Sequence, residues 1–114
     1  DSNGKKTRFL FQVKTELGLS NVTIENCRVE HYESSRQIDM VISRAFSSLE
    51  ELAVKTRHLI SSGSNKPCKL LAMKGRYPKE EITALPDDVT VSRIEKIIVP
   101  GENSHRHIVE LICK

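Results

Sequence analysis

The sequence predicts an α/β domain in which helices and strands alternate in layers. Three observations carry that expectation. Apolar runs of strand length occur at Ile38–Ile42 and across "CKLLAMKG", Cys68–Gly75. Between them, "SSLEELAVKTRHLI" has the periodicity of an amphipathic helix. The chain then changes character: "VTVSRIEKIIVP" and "RHIVELICK" are β-rich and separated only by "GENSH", which reads as an antiparallel hairpin closing the sheet.

Taken in order, "DSNGKKTRFLFQVKTELGLS" opens on turn residues and continues as a helix. Phe9, Leu10, Val13 and Leu17 share one face, and Gly18 is placed to end the helix. Val22–Ile24 is expected as a short strand. Ile38–Ile42 is a second strand, apolar on both faces apart from Asp39, a pattern that suits a parallel strand covered on both sides. The helix that follows carries a capping box, Ser47-x-x-Glu50. Its expected buried stripe is Leu49, Leu52, Ala53, Thr56, Leu59 and Ile60. "SSGSNKP" is a loop, and Cys68–Gly75 is a third strand. "YPKEEITAL" is a short helix with Pro78 in its first turn.

The totals narrow the function classes. With 114 residues the chain has the length of one domain, read here as 1–114. Net charge is +3 and pI is near 8.9, which permits an anionic partner without requiring one. Aromatics make up 4% and Trp is absent, so a platform of several stacked rings is not expected. The three cysteines, Cys27, Cys68 and Cys113, are odd in number and widely spaced, as reduced thiols in a cytoplasmic protein would be. No apolar run is long enough to cross a membrane, and the polar start "DSNGKKTRF" is unlike a signal peptide. The chain begins as a turn, without Met, as a processed or truncated piece would.

Ligands of open parallel sheets bind beyond the carboxyl ends of the strands. Past Val22–Ile24 come Arg28 and Glu30; past Ile38–Ile42 come Ser43 and Arg44; past the third strand come Lys74, Gly75 and Arg76. Charge therefore collects on one rim from separate strands. Other candidates are weaker. His105 and His107 share a strand face but lack Cys or acidic partners at ligand spacing, so no metal is expected. Glu80 and Glu81 sit where carboxylates complement a helix dipole. The five glycines, including Gly75, form neither G-x-G-x-x-G nor a P-loop. His31 and His58 have no Ser placed for a nucleophile triad.

With those residues in view, "GKKTRFLFQV", "CRVE", "DMVISRAFSSLEEL", "LLAMKGRYPKEEI" and "HRHIVELI" resemble the ribosomal RNA small subunit methyltransferase G family, also called glucose-inhibited division protein B. The resemblance runs over essentially the whole chain. It implies a Rossmann-like, S-adenosylmethionine-dependent methyltransferase with a seven-stranded sheet, in which the seventh strand inserts between the fifth and the sixth. It further implies methylation of a guanine at N7 in the 530 loop of 16S rRNA, with the small ribosomal subunit as partner. Carried over residue by residue, Val29 and Glu30 match the pair at the adenosine end of the cofactor. Arg44 matches an arginine of the cofactor site, and Asp1 the acidic position that faces the ribose. Lys74 and Arg106 match basic positions near the RNA or the reacting base, and Arg76 beside Lys74 is placed to neutralise phosphate.

The family's amino-terminal helical segment and glycine-rich cofactor loop have no counterpart in the 114 residues. The chain is therefore expected to be the carboxyl-terminal portion of the methyltransferase domain, inactive alone. Two alternatives stand beside the methyltransferase: a non-catalytic α/β RNA-binding or interaction module, and a Rossmann-like methyltransferase with another acceptor.

Overall fold

The computed structural model describes residues 1–44, 47–60 and 69–113. They form two compact units, Asp1–Glu33 and Ser34–Lys114. The "SSGSNKP" loop and Cys68 lie outside the described residues.

In the first unit, helix α1 spans Gly4–Leu17. Asn3 caps it: its side-chain oxygen accepts the N–H groups of Lys5 and Lys6 at 3.0 and 3.2 Å. Gly18 ends it as expected, with φ +63°, a left-handed conformation that disfavours any residue with a Cβ. Its N–H reaches the carbonyl of Thr15, and the N–H of Leu19 reaches that of Lys14, which satisfies the last turn. The apolar face is not buried. Phe9 and Leu17 are 64% and 67% exposed, and only Thr7 of this helix is buried.

Val22–Ile24 is not a strand. A strand exists through its ladder, and Val22–Ile24 has no ladder partner among the described residues. The Asp1 N–H donates to Glu25 O at 3.1 Å, and the Cys27 N–H donates to Asp1 O at 3.0 Å. A 3-10 turn, Val29–His31, follows.

The second unit is a mixed four-stranded sheet with two helices. Strands β1 (Met40–Arg44), β2 (Lys69–Lys74), β3 (Val89–Ile97) and β4 (Arg106–Cys113) lie in the order β1-β2-β4-β3. β1 and β2 are parallel, while β4 is antiparallel to both β2 and β3. The hairpin appears where the sequence put it, and its second strand inserts beside β2, as the resemblance implies for the family's last strands. β1 begins and ends two residues later than expected, so Arg44 is its last residue and not the one beyond its exit.

Register alternation assigns the two faces of the sheet. Val41, Leu70, Leu111 and Val91 form one cross-strand row, and Ser43, Ala72, Val109 and Ile94 the next on the same face. Helix α2 (Leu49–Ile60) packs here through Leu49, Leu52 and Ala53, all fully buried, and Ile82 of helix α3 (Lys79–Thr83) joins them. The buried stripe of α2 agrees with the expectation, except that Ile60 is only partly covered. Its cap does not. Ser48, not Ser47, accepts the Glu51 N–H at 3.0 Å, because the helix starts at Leu49 and the motif shifts one residue.

β1 also departs from the expectation of coverage on both sides. Met40 and Ile42, on the face away from α2, are exposed, Ile42 by 60%. The helices of this unit pack on the Val41 side, so its alternate residues keep their solvent contact.

Candidate functional site

The same register builds a cleft at one end of the sheet. Arg44 of β1 pairs with Met73 of β2, Met73 with Ile108 of β4, and Arg106 with Ile97 of β3. These residues share the face opposite α2. With Lys74, Gly75 and His107 they line a cleft of about 720 Å³. Its floor is apolar (Met73, Ile97, Ile108) and its cations come from three strands. Arg44, Lys74 and Arg106, singled out from the sequence, thus meet in one place.

The three cations differ in freedom. Lys74 is the most confined: its Nζ lies 2.7 Å from Glu81 Oε1, and its side chain is only 12% exposed. The same Glu81 oxygen accepts the Leu49 N–H at 3.1 Å, at the first turn of α2. One carboxylate of α3 therefore fixes both Lys74 and the start of α2. Arg106 Nε donates to Glu102 Oε2 at 2.9 Å across an exposed turn. That hydrogen bond, then the guanidinium's charge, holds the Glu102 carboxyl below its usual range and raises Arg106. Arg44 is exposed and has no ion pair among the described residues.

His107 also lines the cleft. It is 9% exposed, and its Nδ1 lies 2.8 Å from the Gly75 carbonyl oxygen. A carbonyl can only accept, so Nδ1 carries the hydrogen. This bond ties the residue after β2 to β4. Gly75 follows β2 directly. A Cβ there would meet the His105 carbonyl oxygen at 3.6 Å, an ordinary contact, so its surroundings do not demand glycine.

The remaining expected residues are Arg76, Asp1, Val29 and Glu30. Arg76 lines a second cleft, with Tyr77, Lys96, His105 and His107. Asp1, Val29 and Glu30 belong to the Asp1–Glu33 unit. One Asp1 carboxylate oxygen accepts the Asn3 N–H at 2.8 Å. Val29 and Glu30 open the 3-10 turn and are half-buried. Sequence reasoning missed Glu81, Glu102 and the inward role of His107. Glu102 stands four residues before Arg106 and was findable on that spacing; Glu81 meets Lys74 only through the tertiary fold.

The comparisons with known proteins follow the same outline. The family described as rRNA small subunit methyltransferase G matches residues 1–109. The chain belongs to this family. Its relatives include the ribosomal RNA small subunit methyltransferase G of Pseudomonas aeruginosa (strain UCBPP-PA14), 48% identical over 99% of this chain and 51% of the relative. The protein of the same name from Marinomonas sp. (strain MWYL1) is 48% identical over 100% of this chain and 53% of its own length. That from Chromobacterium violaceum is 46% identical over the same shares. The chain thus spans about half the length of the curated relatives it matches. A crystal structure of an rRNA methylase from Streptococcus thermophilus superposes with a TM-score of 0.65 at 15% identity, covering 99% of this chain and 70% of that one. At that identity the likeness concerns the fold, and the fold is the α/β arrangement read from the sequence.

Among the described residues, no group of three or more His, Cys, Asp or Glu side chains is placed to hold a metal. None of the described helices is long and apolar enough to cross a membrane. Cys27 and Cys113 are both half-buried.

Proposed function

We propose that this chain is the carboxyl-terminal portion of a seven-stranded, S-adenosylmethionine-dependent methyltransferase acting on N7 of a guanine in the 530 loop of 16S rRNA in the cytoplasm. The observation that carries the reading is the family match over residues 1–109, joined to a cleft that collects Arg44, Lys74 and Arg106. Because the chain spans about half of its relatives, we expect the 114 residues alone to transfer no methyl group.

Each unit, taken by itself, carries side chains that suit a part of the cofactor. Asp1 and Glu30 offer carboxylate acceptors for the hydroxyl and amine groups of an adenosine, with Val29 as an apolar neighbour. Arg44, without an ion pair among the described residues, suits a carboxylate. It does not suit the sulfonium, since both are cations. When bound, S-adenosylmethionine supplies an electrophilic methyl group.

The protein's own tasks then follow from the acceptor. Guanine N7 carries an in-plane lone pair and no proton, so no general base is needed. What is needed is alignment and tolerance of the positive charge that moves onto the base. Lys74 lines the cleft, and Glu81 holds its ammonium at a set position. It is suited to the guanine O6 acceptor beside N7 rather than to a wandering phosphate. Arg76 and Arg106, both exposed, suit phosphates, which give affinity and salt dependence without reading sequence.

The test is a split between two substitutions in the complete protein. Arg44→Ala is expected to weaken cofactor binding by about 1.5–3 kcal/mol, the worth of a charged hydrogen bond, with RNA affinity near normal. Lys74→Ala is expected to lower methyl transfer and leave the cofactor constant in place. Equal losses of cofactor and RNA affinity in both variants would reduce the cleft to an undivided electrostatic patch and reject these roles.

A further inference from the structure

The second cleft, about 450 Å³, is lined by Arg76, Tyr77, Lys96, His105 and His107. Its chemistry differs from that of the first. Lys96 of β3 pairs in register with His107 of β4, which places both on the face that carries α2 and α3. Tyr77 meets the His107 ring edge-to-face, with centroids 5.9 Å apart and planes at 86°. His107 is itself held by the Gly75 carbonyl. The contact gives the tyrosine ring a neighbour on one side, yet Tyr77 is 56% exposed. Arg76, Lys96 and His105 around it are exposed, and no carboxylate lines the cleft among the described residues.

An exposed aromatic ring with cations around it has the elements of a single-strand nucleic-acid site: a π-face for a base, and positive charge for the phosphates on either side. A core role does not account for it, because a packing tyrosine would be covered. We propose that Tyr77 is a stacking platform for one unpaired RNA base, with Arg76 and Lys96 taking the adjoining phosphates. His107 lines both this cleft and the first. A nucleotide held on Tyr77 would anchor the strand that delivers its neighbour to the first cleft. The inference rests on the reading of the protein as an RNA methyltransferase and adds a surface that this reading does not supply.

The experiment uses the complete protein and a fluorescein-labelled oligoadenylate of about 12 nucleotides, titrated by anisotropy at several salt concentrations. Tyr77→Ala is expected to weaken binding on the order of tenfold, and Tyr77→Phe, which keeps the ring, to restore it. Lys96→Gln is expected to flatten the logarithmic salt dependence by about 0.7, the slope lost with one phosphate contact of a single strand. Binding of polyglutamate, an anion without bases, should be insensitive to Tyr77→Ala. The platform is overturned by an unchanged affinity in Tyr77→Ala, by failure of Tyr77→Phe to restore it, or by parallel losses with polyglutamate, which would mark a protein-type acidic partner. Methyl transfer to 16S rRNA, measured on the same preparation, separates this inference from the reading beneath it. Transfer with RNA affinity indifferent to Tyr77 sinks the platform alone. Tyr77-dependent binding without transfer sinks the proposed activity alone.

Discussion

Lys74 Nζ sits 2.7 Å from Glu81 Oε1, and that same oxygen accepts the Leu49 N–H at 3.1 Å. One acidic side chain thus joins the end of β2, the first turn of α2 and the short helix α3. Lys74 is largely buried, so its ammonium depends on this partner. Glu81→Gln keeps an acceptor for Leu49 but removes the charge. The expected result is a loss of about 1.5–3 kcal/mol in denaturant stability, with a further loss in Glu81→Ala. An unchanged midpoint in both variants would show that the junction carries no energy.

The core of the second unit is set by a few large side chains on one sheet face. Leu70 and Leu111 pair across β2 and β4 and are fully buried against α2. Leu70→Ala is expected to cost about 2–5 kcal/mol, from lost apolar burial and the cavity left behind. Ile42→Ala, on the exposed face of β1, is expected to cost far less. Urea melts of the two variants check the assignment of faces directly; equal losses would contradict it.

Arg106 holds the Glu102 carboxyl below its usual value, first by hydrogen bonding and then by charge. The sign follows from that depression. The pair's contribution is complete above the unfolded carboxyl's value and is lost as pH falls through the lower, folded value. Both groups are exposed, so the effect belongs to the local turn rather than to global stability. A carboxyl-carbon NMR titration should place the Glu102 midpoint below the ordinary 4.5, and Arg106→Gln should bring it back up. The same midpoint in both proteins would refute the pairing.

Helix α1 leaves Phe9 and Phe11 exposed by 64% and 62%. Apolar surface of that kind binds hydrophobic dyes and promotes association. The 114-residue chain should therefore enhance the fluorescence of anilinonaphthalene sulfonate, and Phe9→Ser with Phe11→Ser should reduce it. No enhancement in the parent chain would show that these rings are covered in solution.

Most of the architecture was legible because it rests on local signals. The helical stripe of α2, the Gly18 stop and the hairpin around "GENSH" each depend on periodicity or turn chemistry within a few residues. Val22–Ile24 misled because strand propensity does not provide a ladder partner. The one-residue error at the α2 cap arose from two adjacent serines, each followed three residues later by a glutamate. At the site, the rim position of Arg44 and Lys74 could be reasoned from strand ends, while Arg106, the first residue of β4, came only from the family resemblance. The restraint on Lys74 could not, because Glu81 reaches it only after α3 folds back over β2. Nor did any spacing rule bring Tyr77 to His107.

The central claim is that the complete protein places a methyl group on N7 of a guanine in the 530 loop of 16S rRNA. The most direct measurement is to incubate it with small ribosomal subunits or their RNA and S-adenosylmethionine carrying a labelled methyl group. The labelled base is then mapped by borohydride reduction and aniline cleavage, which cut at N7-methylguanosine. The expected result is a single cleavage within the 530 loop, lost when the Lys74→Ala variant replaces the parent protein. Label that is absent, lies outside that loop, or resists this cleavage would contradict the account.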